Sequence, residues 1–167
     1  RTGVRYAHPD LVAWLDGIHV PHDAGLDRAF TAPEREGIPA IQVGRSEGRT
    51  LTLLLRMIAA RTAVEVGTLA GYSAIQLARG LARRGATVVL LCRDAAKGEA
   101  ARRAIIEATN NPNVEVLLCD LSSLGDVRRA AAEFRSRYDR LHVLVNCAGI
   151  FLRQRDITPE GFERFWV

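Results

Sequence analysis

The chain has 167 residues, which is enough for one domain with a hydrophobic core and too few for two full-sized domains. Hydrophobic residues make up 48% of it, but no apolar run approaches the ~18 residues of a membrane-spanning helix, so we expect a cytoplasmic protein without membrane contact. The net charge of +4 comes from arginines scattered along the chain without a basic block, which argues against a nucleic-acid partner.

The first part of the chain follows a helical and polar pattern. The predicted helices are Pro9–Gly17, His22–Glu36 and Ser46–Ala60. The residues expected to interrupt them are Pro33, Gly37, Pro39 and Gly44. One short strand is a candidate here, at Ile41–Val43. We therefore predict a helical N-terminal extension over residues 1–60.

After Arg61, short apolar runs alternate with amphipathic segments of helical length. The predicted strands are residues 62–66, 87–91, 114–118 and 141–145, and the predicted helices are Gly71–Arg84, Ala95–Thr109 and Ser122–Arg137. Such apolar strands between helices are typical of a parallel sheet that is buried on both faces. The predicted fold class is therefore α/β, with residues 61–167 forming an incomplete, doubly wound, Rossmann-like half-domain that binds a nucleotide-type cofactor.

A glycine-containing turn joins the first predicted strand to the helix that follows it. Gly67 permits a tight turn, Gly71 lets the backbone approach a ligand, and the start of the helix offers unpaired N–H groups to an anion or carboxylate. Because the turn lies between a strand and a helix, we interpret it as a nucleotide-type site.

The strand and turn resemble one family of enzymes in particular. The stretch EVGTLAGYS, within a likeness that runs from about residue 4 to residue 81, is similar to the cation-dependent, caffeoyl-CoA-type O-methyltransferases that use S-adenosylmethionine. The resemblance implies that Glu65, Gly67, Thr68 and Ser73 contact the methionine end of that cofactor. As an alternative, Ser73 is an ordinary helix-start residue.

From about residue 78 onward the likeness changes family. The segments ARRGATVVLLCRDAAKGEAARRAI, NPNVEVLLCDLSSLGDVRRAAAEFRSRYDRLHVLVNCAGI and ITPEGFE resemble retinol-dehydrogenase-type short-chain dehydrogenase/reductases. The two resemblances meet near Ala78 to Gly85, inside one predicted helix. Since both families need the same amphipathic pattern there, such a junction is structurally tolerable.

Three positions in the second segment correspond to cofactor contacts of the reductases. Arg93 stands where an arginine accepts a ribose 2′-phosphate, which favours NADP over NAD, although Asp94 partly restores an acidic ribose contact. The resemblance implies that Asp120 and Leu121 contact the adenine. As alternatives, Arg93 is a solvent-facing charge at a strand end, and Asp120 or Ser122 caps the next helix.

The third position follows the last predicted strand, where Asn146, Cys147, Ala148 and Gly149 resemble the family's NNAG motif with Cys in place of its second Asn. The resemblance implies that the small residues let the cofactor's ribose approach the sheet edge. Asn146 either ties adjacent strands together or contacts the cofactor. Ser73 departs from the pattern, because the reductases have a third glycine there and its side chain is expected to crowd the pyrophosphate.

Catalytic residues are not found. The reductases use a Ser, a Tyr and a Lys four residues after that Tyr, whereas none of Tyr6, Tyr72 and Tyr138 is followed by such a Lys, and Lys97 is the only lysine. No metal site is predicted, because the cysteines match no zinc spacing and the NCAG segment offers no carboxylate.

We therefore expect an NADP(H)-binding, oxidoreductase-like fragment that lacks its catalytic Ser-Tyr-Lys residues and is inactive as it stands. The chain starts at Arg1 and stops at Val167, before those residues are expected. Two alternatives stay open: a methyltransferase-like protein that binds S-adenosylmethionine, and a non-catalytic chimeric scaffold. An open sheet edge beside the fourth strand makes a homo-oligomer possible.

Overall fold

A computed structural model of the chain describes residues 8–81, 85–149, 156–158 and 160–163. Its elements, in chain order, are α1 (Pro9–His19), α2 (Ala24–Glu36), α3 (Arg45–Met57), β1 (Thr62–Val66), α4 (Tyr72–Leu81), β2 (Thr87–Cys92), α5 (Ala95–Thr109), β3 (Val114–Leu118), α6 (Leu124–Arg137) and β4 (Val143–Asn146). Within those ranges, no helix is both long enough and apolar enough to cross a membrane.

The strands form one parallel sheet in the order β3-β2-β1-β4. β1 lies between β2 and β4, so that Val64 of β1 pairs with Val89 on one side and Leu144 on the other. Because all these strands are parallel, their carboxyl ends lie at the same edge of the sheet. The predicted α/β fold class is confirmed.

Most predicted elements lie where the apolar pattern places them, but two expectations for the N-terminal part are wrong. Pro33 does not interrupt α2, since it is buried in the last turn of a helix that continues to Glu36 and ends at Gly37 in the left-handed conformation. Ile41–Val43 forms no strand, because its backbone has no neighbouring strand to pair with among the described residues. The last predicted residues of α4, up to Arg84, lie outside the described ranges.

Two hydrophobic clusters cover the two faces of the sheet. On one face, Ala63 and Val88 pack under α4, whose side chains are almost all buried between the sheet and α3. On the other face, Val64 and Val89 pack against α6. β1 and β2 are thus covered on both faces, as their continuous apolar runs predict, whereas Leu144 of β4 is exposed.

A chain of buried polar side chains ties the N-terminal helices to α4. The Tyr72 hydroxyl lies 2.9 Å from Nε2 of His22, which precedes α2, and it accepts a hydrogen bond of 3.4 Å from Nε2 of Gln76. The Gln76 side-chain oxygen accepts a 2.7 Å bond from the Thr52 hydroxyl of α3. α4 is therefore packed on the sheet on one side and hydrogen-bonded to the N-terminal helical part on the other.

Candidate cofactor site

The edge formed by the carboxyl ends of the strands is where the predicted site residues converge. The chain leaves β1 toward β2 on one side and reaches β4 on the other side only after two further crossovers. In doubly wound sheets, ligands bind in the crevice at this change of direction. The turn after β1 and the segment after β4 border that crevice.

The turn after β1 has the conformation that its glycines predict. Gly67 and Gly71 have φ angles of +82° and +84°, and Leu69 between them is also left-handed, at +47°. The Gly71 amide donates to the Thr68 carbonyl at 2.7 Å, and Ile75 then donates to the Gly71 carbonyl as α4 begins. Because the first N–H groups of a helix have no partner within the helix, the start of α4 presents donors that suit an anion.

The segment after β4 closes directly against this turn. The amides of Cys147 and Ala148 both donate to the Val66 carbonyl, at 2.9 and 2.6 Å. A Cβ atom added to Gly67 would lie 2.6 Å from the Ala148 Cα and 2.8 Å from its amide nitrogen. Only glycine therefore fits at position 67, and this contact joins the methyltransferase-like and reductase-like parts of the chain.

Glu65 is the most unusual residue of the site. Its side chain is fully buried on β1, and neither carboxylate oxygen has a hydrogen-bond partner of good geometry. Burial raises its pKa to about 7, although the nearby hydroxyls of Ser73 and Thr68 favour the ionised form. A carboxyl group in this state is able to gain or lose its proton near neutral pH.

Ser73 and Cys147 complete the polar group around Glu65. Ser73 is buried, and its hydroxyl lies beside the Cys147 thiol. Burial and the negative charge of Glu65 raise the pKa of Cys147, so this thiol is not an activated nucleophile. The only signal for Cys147 in the sequence is its place inside the NCAG motif.

The two residues after β2 have different surroundings. Asp94 is the N-cap of α5, and its carboxylate accepts a 3.0 Å bond from the Lys97 amide. Arg93 is exposed and makes no ion pair with the described residues. Both side chains are therefore exposed at the edge, with one Asp94 oxygen engaged as the cap of α5.

The residues after β3 form a compact turn. The Asp120 carboxylate accepts bonds from the amide and hydroxyl of Ser122, at 2.9 and 2.7 Å, and its own amide donates to Asp126. Ser123, and not Asp120 or Ser122, is the N-cap of α6, so the capping alternative is wrong. Leu121 is half-buried against the α6 side of the sheet.

Asn146 is exposed and pairs through its backbone with Val66. Its side-chain amide makes no hydrogen bond to any residue that the structure describes, so the expectation that this amide ties adjacent strands together is wrong. Ala148 and Gly149 are exposed next to it. The residues predicted after β1, β2, β3 and β4 thus all lie along one edge of the sheet.

Neither a metal centre nor an activated tyrosine occurs in the described ranges. No three His, Cys, Asp or Glu residues are grouped there in a way that would hold a metal ion. Burial raises the pKa of both Tyr72 and Tyr138. A tyrosine that exchanges protons in catalysis needs a lowered pKa, so these two do not suit that role. Tyr6 lies outside the described residues.

Comparisons with known proteins divide the chain in two. A family model described as enoyl-(acyl carrier protein) reductase matches residues 73–166. Retinol dehydrogenase 12 of Mus musculus is 42% identical over 88 residues, which are 53% of this chain and 28% of that protein. Catechol O-methyltransferase of Mycobacterium tuberculosis is 42% identical over 82 residues, which are 49% of this chain and 37% of that protein.

A solved O-methyltransferase from Bacillus cereus, in complex with SAH, superimposes with a TM-score of 0.68 and 29% identity, covering 82% of this chain and 60% of that one. The chain thus spans little more than a quarter of the length of the retinol dehydrogenase and three fifths of the length of the methyltransferase chain. The two resemblances seen in the sequence are confirmed.

Proposed function

The chain belongs, through residues 73–166, to the short-chain dehydrogenase/reductase family, and we propose that it binds NADP(H) across the carboxyl edge of its sheet without turning over a substrate. The observation that carries this proposal is the contrast between Arg93 and Asp94. One Asp94 oxygen is engaged as a helix cap, and the exposed guanidinium of Arg93 beside it suits a 2′-phosphate.

Other residues along the same edge of the sheet are placed to contact the remaining parts of a dinucleotide. The start of α4 offers its N–H groups to the pyrophosphate, and Asp120 with Leu121 borders the proposed adenine position. Ser73 replaces the third glycine of the reductase pattern, but its hydroxyl is buried beside Glu65 and Cys147. It therefore takes less of the space needed by the pyrophosphate than its position in the sequence suggests.

Binding without turnover is part of the proposal because the residues for proton transfer are not found. In the sequence no Tyr is followed four residues later by a Lys, and the raised pKa values of Tyr72 and Tyr138 oppose proton exchange. NADP(H) supplies hydride chemistry when it is bound. This chain contributes the binding surface.

Replacing Arg93 by alanine is expected to weaken NADPH binding by roughly tenfold or more, because a charged hydrogen bond contributes about 1.5–3 kcal/mol. NADH, which lacks the 2′-phosphate, is expected to bind the variant and the original chain equally. Isothermal titration calorimetry with both cofactors measures this difference. Arg103→Ala, which removes an exposed arginine from α5, is the matched control and should change neither affinity. Equal losses for NADPH and NADH, or none for either, would refute the assignment of Arg93.

Binding of S-adenosylmethionine is the second candidate function, and it rests on Glu65. The methyltransferase-like segment brings Glu65, Thr68 and Ser73 together, and the buried carboxylate oxygens lack partners of good geometry. S-adenosylmethionine carries positive charge, which would stabilise the ionised carboxylate. The mutual position of these residues is compatible with either cofactor, so direct binding measurements decide between them.

A further inference from the structure

His22 is a buried histidine that links the N-terminal helices to the start of α4. Its side chain is only 3% exposed, although it lies in the segment between α1 and α2. The ring packs against the rings of Phe30 and Tyr72, whose centroids lie 5.2 and 5.3 Å from its own. Because Tyr72 is the first residue of α4, this contact joins the N-terminal part to the beginning of that helix.

The hydrogen bonds around Tyr72 determine which atom donates in its contact with His22. Nε2 of Gln76 donates to the Tyr72 oxygen at 3.4 Å, so the Tyr72 proton points toward Nε2 of His22, 2.9 Å away. Nε2 of His22 is then an acceptor, and in a neutral imidazole the other nitrogen, Nδ1, carries the proton. Nδ1 is buried and makes no hydrogen bond to the residues that the structure describes. The contact with Tyr72 therefore requires neutral His22.

A second proton on the His22 ring is incompatible with this arrangement. Both ring nitrogens are then donors, so the Tyr72 hydroxyl has to turn its own proton away from Nε2. The nearest carboxylate compensates the new charge only in part. Oδ1 of Asp27 lies 4.0 Å from Nδ1 of His22, but the same oxygen lies 3.9 Å from the guanidinium of Arg45 on α3.

The other charges near His22 are already engaged. Asp16 of α1 accepts a hydrogen bond from α3, and Asp23 forms an ion pair with Arg79 of α4. Burial, and next the positive charge of Arg45, lower the pKa of His22 below its ordinary value of 6.5, and the nearby aspartates oppose this only in part. The stability that neutral His22 contributes is therefore fully present above pH 6.5 and is lost as the pH falls through the lowered pKa.

We propose that His22 is a pH-sensitive contact: its neutral form holds the N-terminal helices against the start of α4, and its protonation in mild acid breaks the bond to Tyr72 and weakens that packing. The proposal concerns the chain alone. It holds whichever cofactor the chain binds.

Long-range proton–nitrogen NMR spectra of the full chain, recorded from pH 8 to pH 4.5, test the hydrogen bond. His22→Gln identifies the signals of this ring, which we expect to carry its proton on Nδ1 when neutral and to titrate below pH 6.5. In Tyr72→Phe, which keeps the aromatic ring, the midpoint is expected to rise by about 0.5 to 1 pH unit, because the neutral form loses its hydrogen bond. Tyr138→Phe removes a hydroxyl on the other face of the sheet and should leave the midpoint unchanged.

Hydrogen exchange of the α2 amides, corrected for the intrinsic exchange rate at each pH, tests the weakened packing. Between pH 7.5 and pH 5 we expect their protection to fall by about threefold or more relative to that in His22→Phe, whose ring packs but cannot be protonated. Glu65 titrates in both proteins, so the difference reports on His22.

Three results would overturn the proposal: a proton on Nε2 of neutral His22, a midpoint at or above pH 6.5, or the same pH dependence of α2 protection in the original chain and His22→Phe. The first two are read in the original chain, so a variant that fails to fold does not protect the proposal from refutation.

Discussion

Gly67→Ala is expected to destabilise the fold by about 3 kcal/mol or more, through two effects that add. The φ angle of +82° disfavours any residue with a Cβ atom. The added Cβ atom would also lie 2.6 Å from the Ala148 Cα, and that neighbour is backbone held by hydrogen bonds to Val66. Urea unfolding followed by circular dichroism measures the change in the free energy of unfolding.

Gly71→Ala is the matched control for this prediction. Gly71 has almost the same φ angle, +84°, but a Cβ atom there would meet its nearest neighbour, Ile105, at an ordinary distance of 3.8 Å. We expect a loss of about 1 to 2 kcal/mol from the backbone conformation alone. The difference between the two variants isolates the contact with Ala148, and equal losses would show that the contact is not close.

Glu65→Gln is expected to stabilise the chain above pH 7 and to remove part of its pH dependence. The carboxyl of Glu65 has a pKa of about 7 when folded, against 4.5 for an ordinary glutamate. Its protonated form therefore contributes stability that is fully present below pH 4.5 and is lost as the pH rises to about 7 and above. The loss amounts to about 3.5 kcal/mol at most, since one pKa unit corresponds to about 1.4 kcal/mol.

Denaturant titrations of the original chain and the variant between pH 4.5 and pH 8 measure this slope. The groups close to Glu65, namely Thr68, Ser73 and Cys147, are the same in both proteins, so the difference reports on Glu65. Glu34→Gln on the exposed side of α2 is the control, and it should leave the slope unchanged. Parallel curves for the original chain and Glu65→Gln would show that this carboxyl is ionised throughout.

Local sequence patterns predict the sheet well, because a buried parallel strand is a local apolar run. β1, β3 and α5 have the predicted bounds, and the flanking glycines give the turn after β1. The failures depend on long-range packing. Burial lets Pro33 remain inside α2, and Ile41–Val43 has the composition of a strand but no strand beside it to pair with.

The residues of the candidate site can be predicted from the sequence, but their contacts with one another and their burial cannot. Gly67 is recognisable as a turn residue, whereas its contact with Ala148 joins segments that are distant in the sequence. The resemblance identifies Glu65 as a candidate ligand residue, but its complete burial depends on packing from both sides of β1. Asp94 illustrates the opposite case, since its role as a helix cap follows from the local chain.

The junction between the two resemblances links the choice of cofactor to the charge of Glu65. Glu65 and Ser73 come from the methyltransferase-like part, and Cys147 comes from the reductase-like part, yet they occupy one polar group. A protonated Glu65 is neutral and would tolerate the pyrophosphate of the proposed dinucleotide, whereas the ionised form would repel it. NADPH binding is therefore best measured below pH 7.

The most direct measurement is isothermal titration calorimetry of the full chain at pH 6 with NADPH, NADH and S-adenosylmethionine in parallel. The proposal predicts that NADPH binds more tightly than NADH and S-adenosylmethionine, because Arg93 holds the 2′-phosphate and Glu65 is mostly protonated at that pH. Tighter binding of S-adenosylmethionine than of NADPH, or no binding of any of the three, would contradict it.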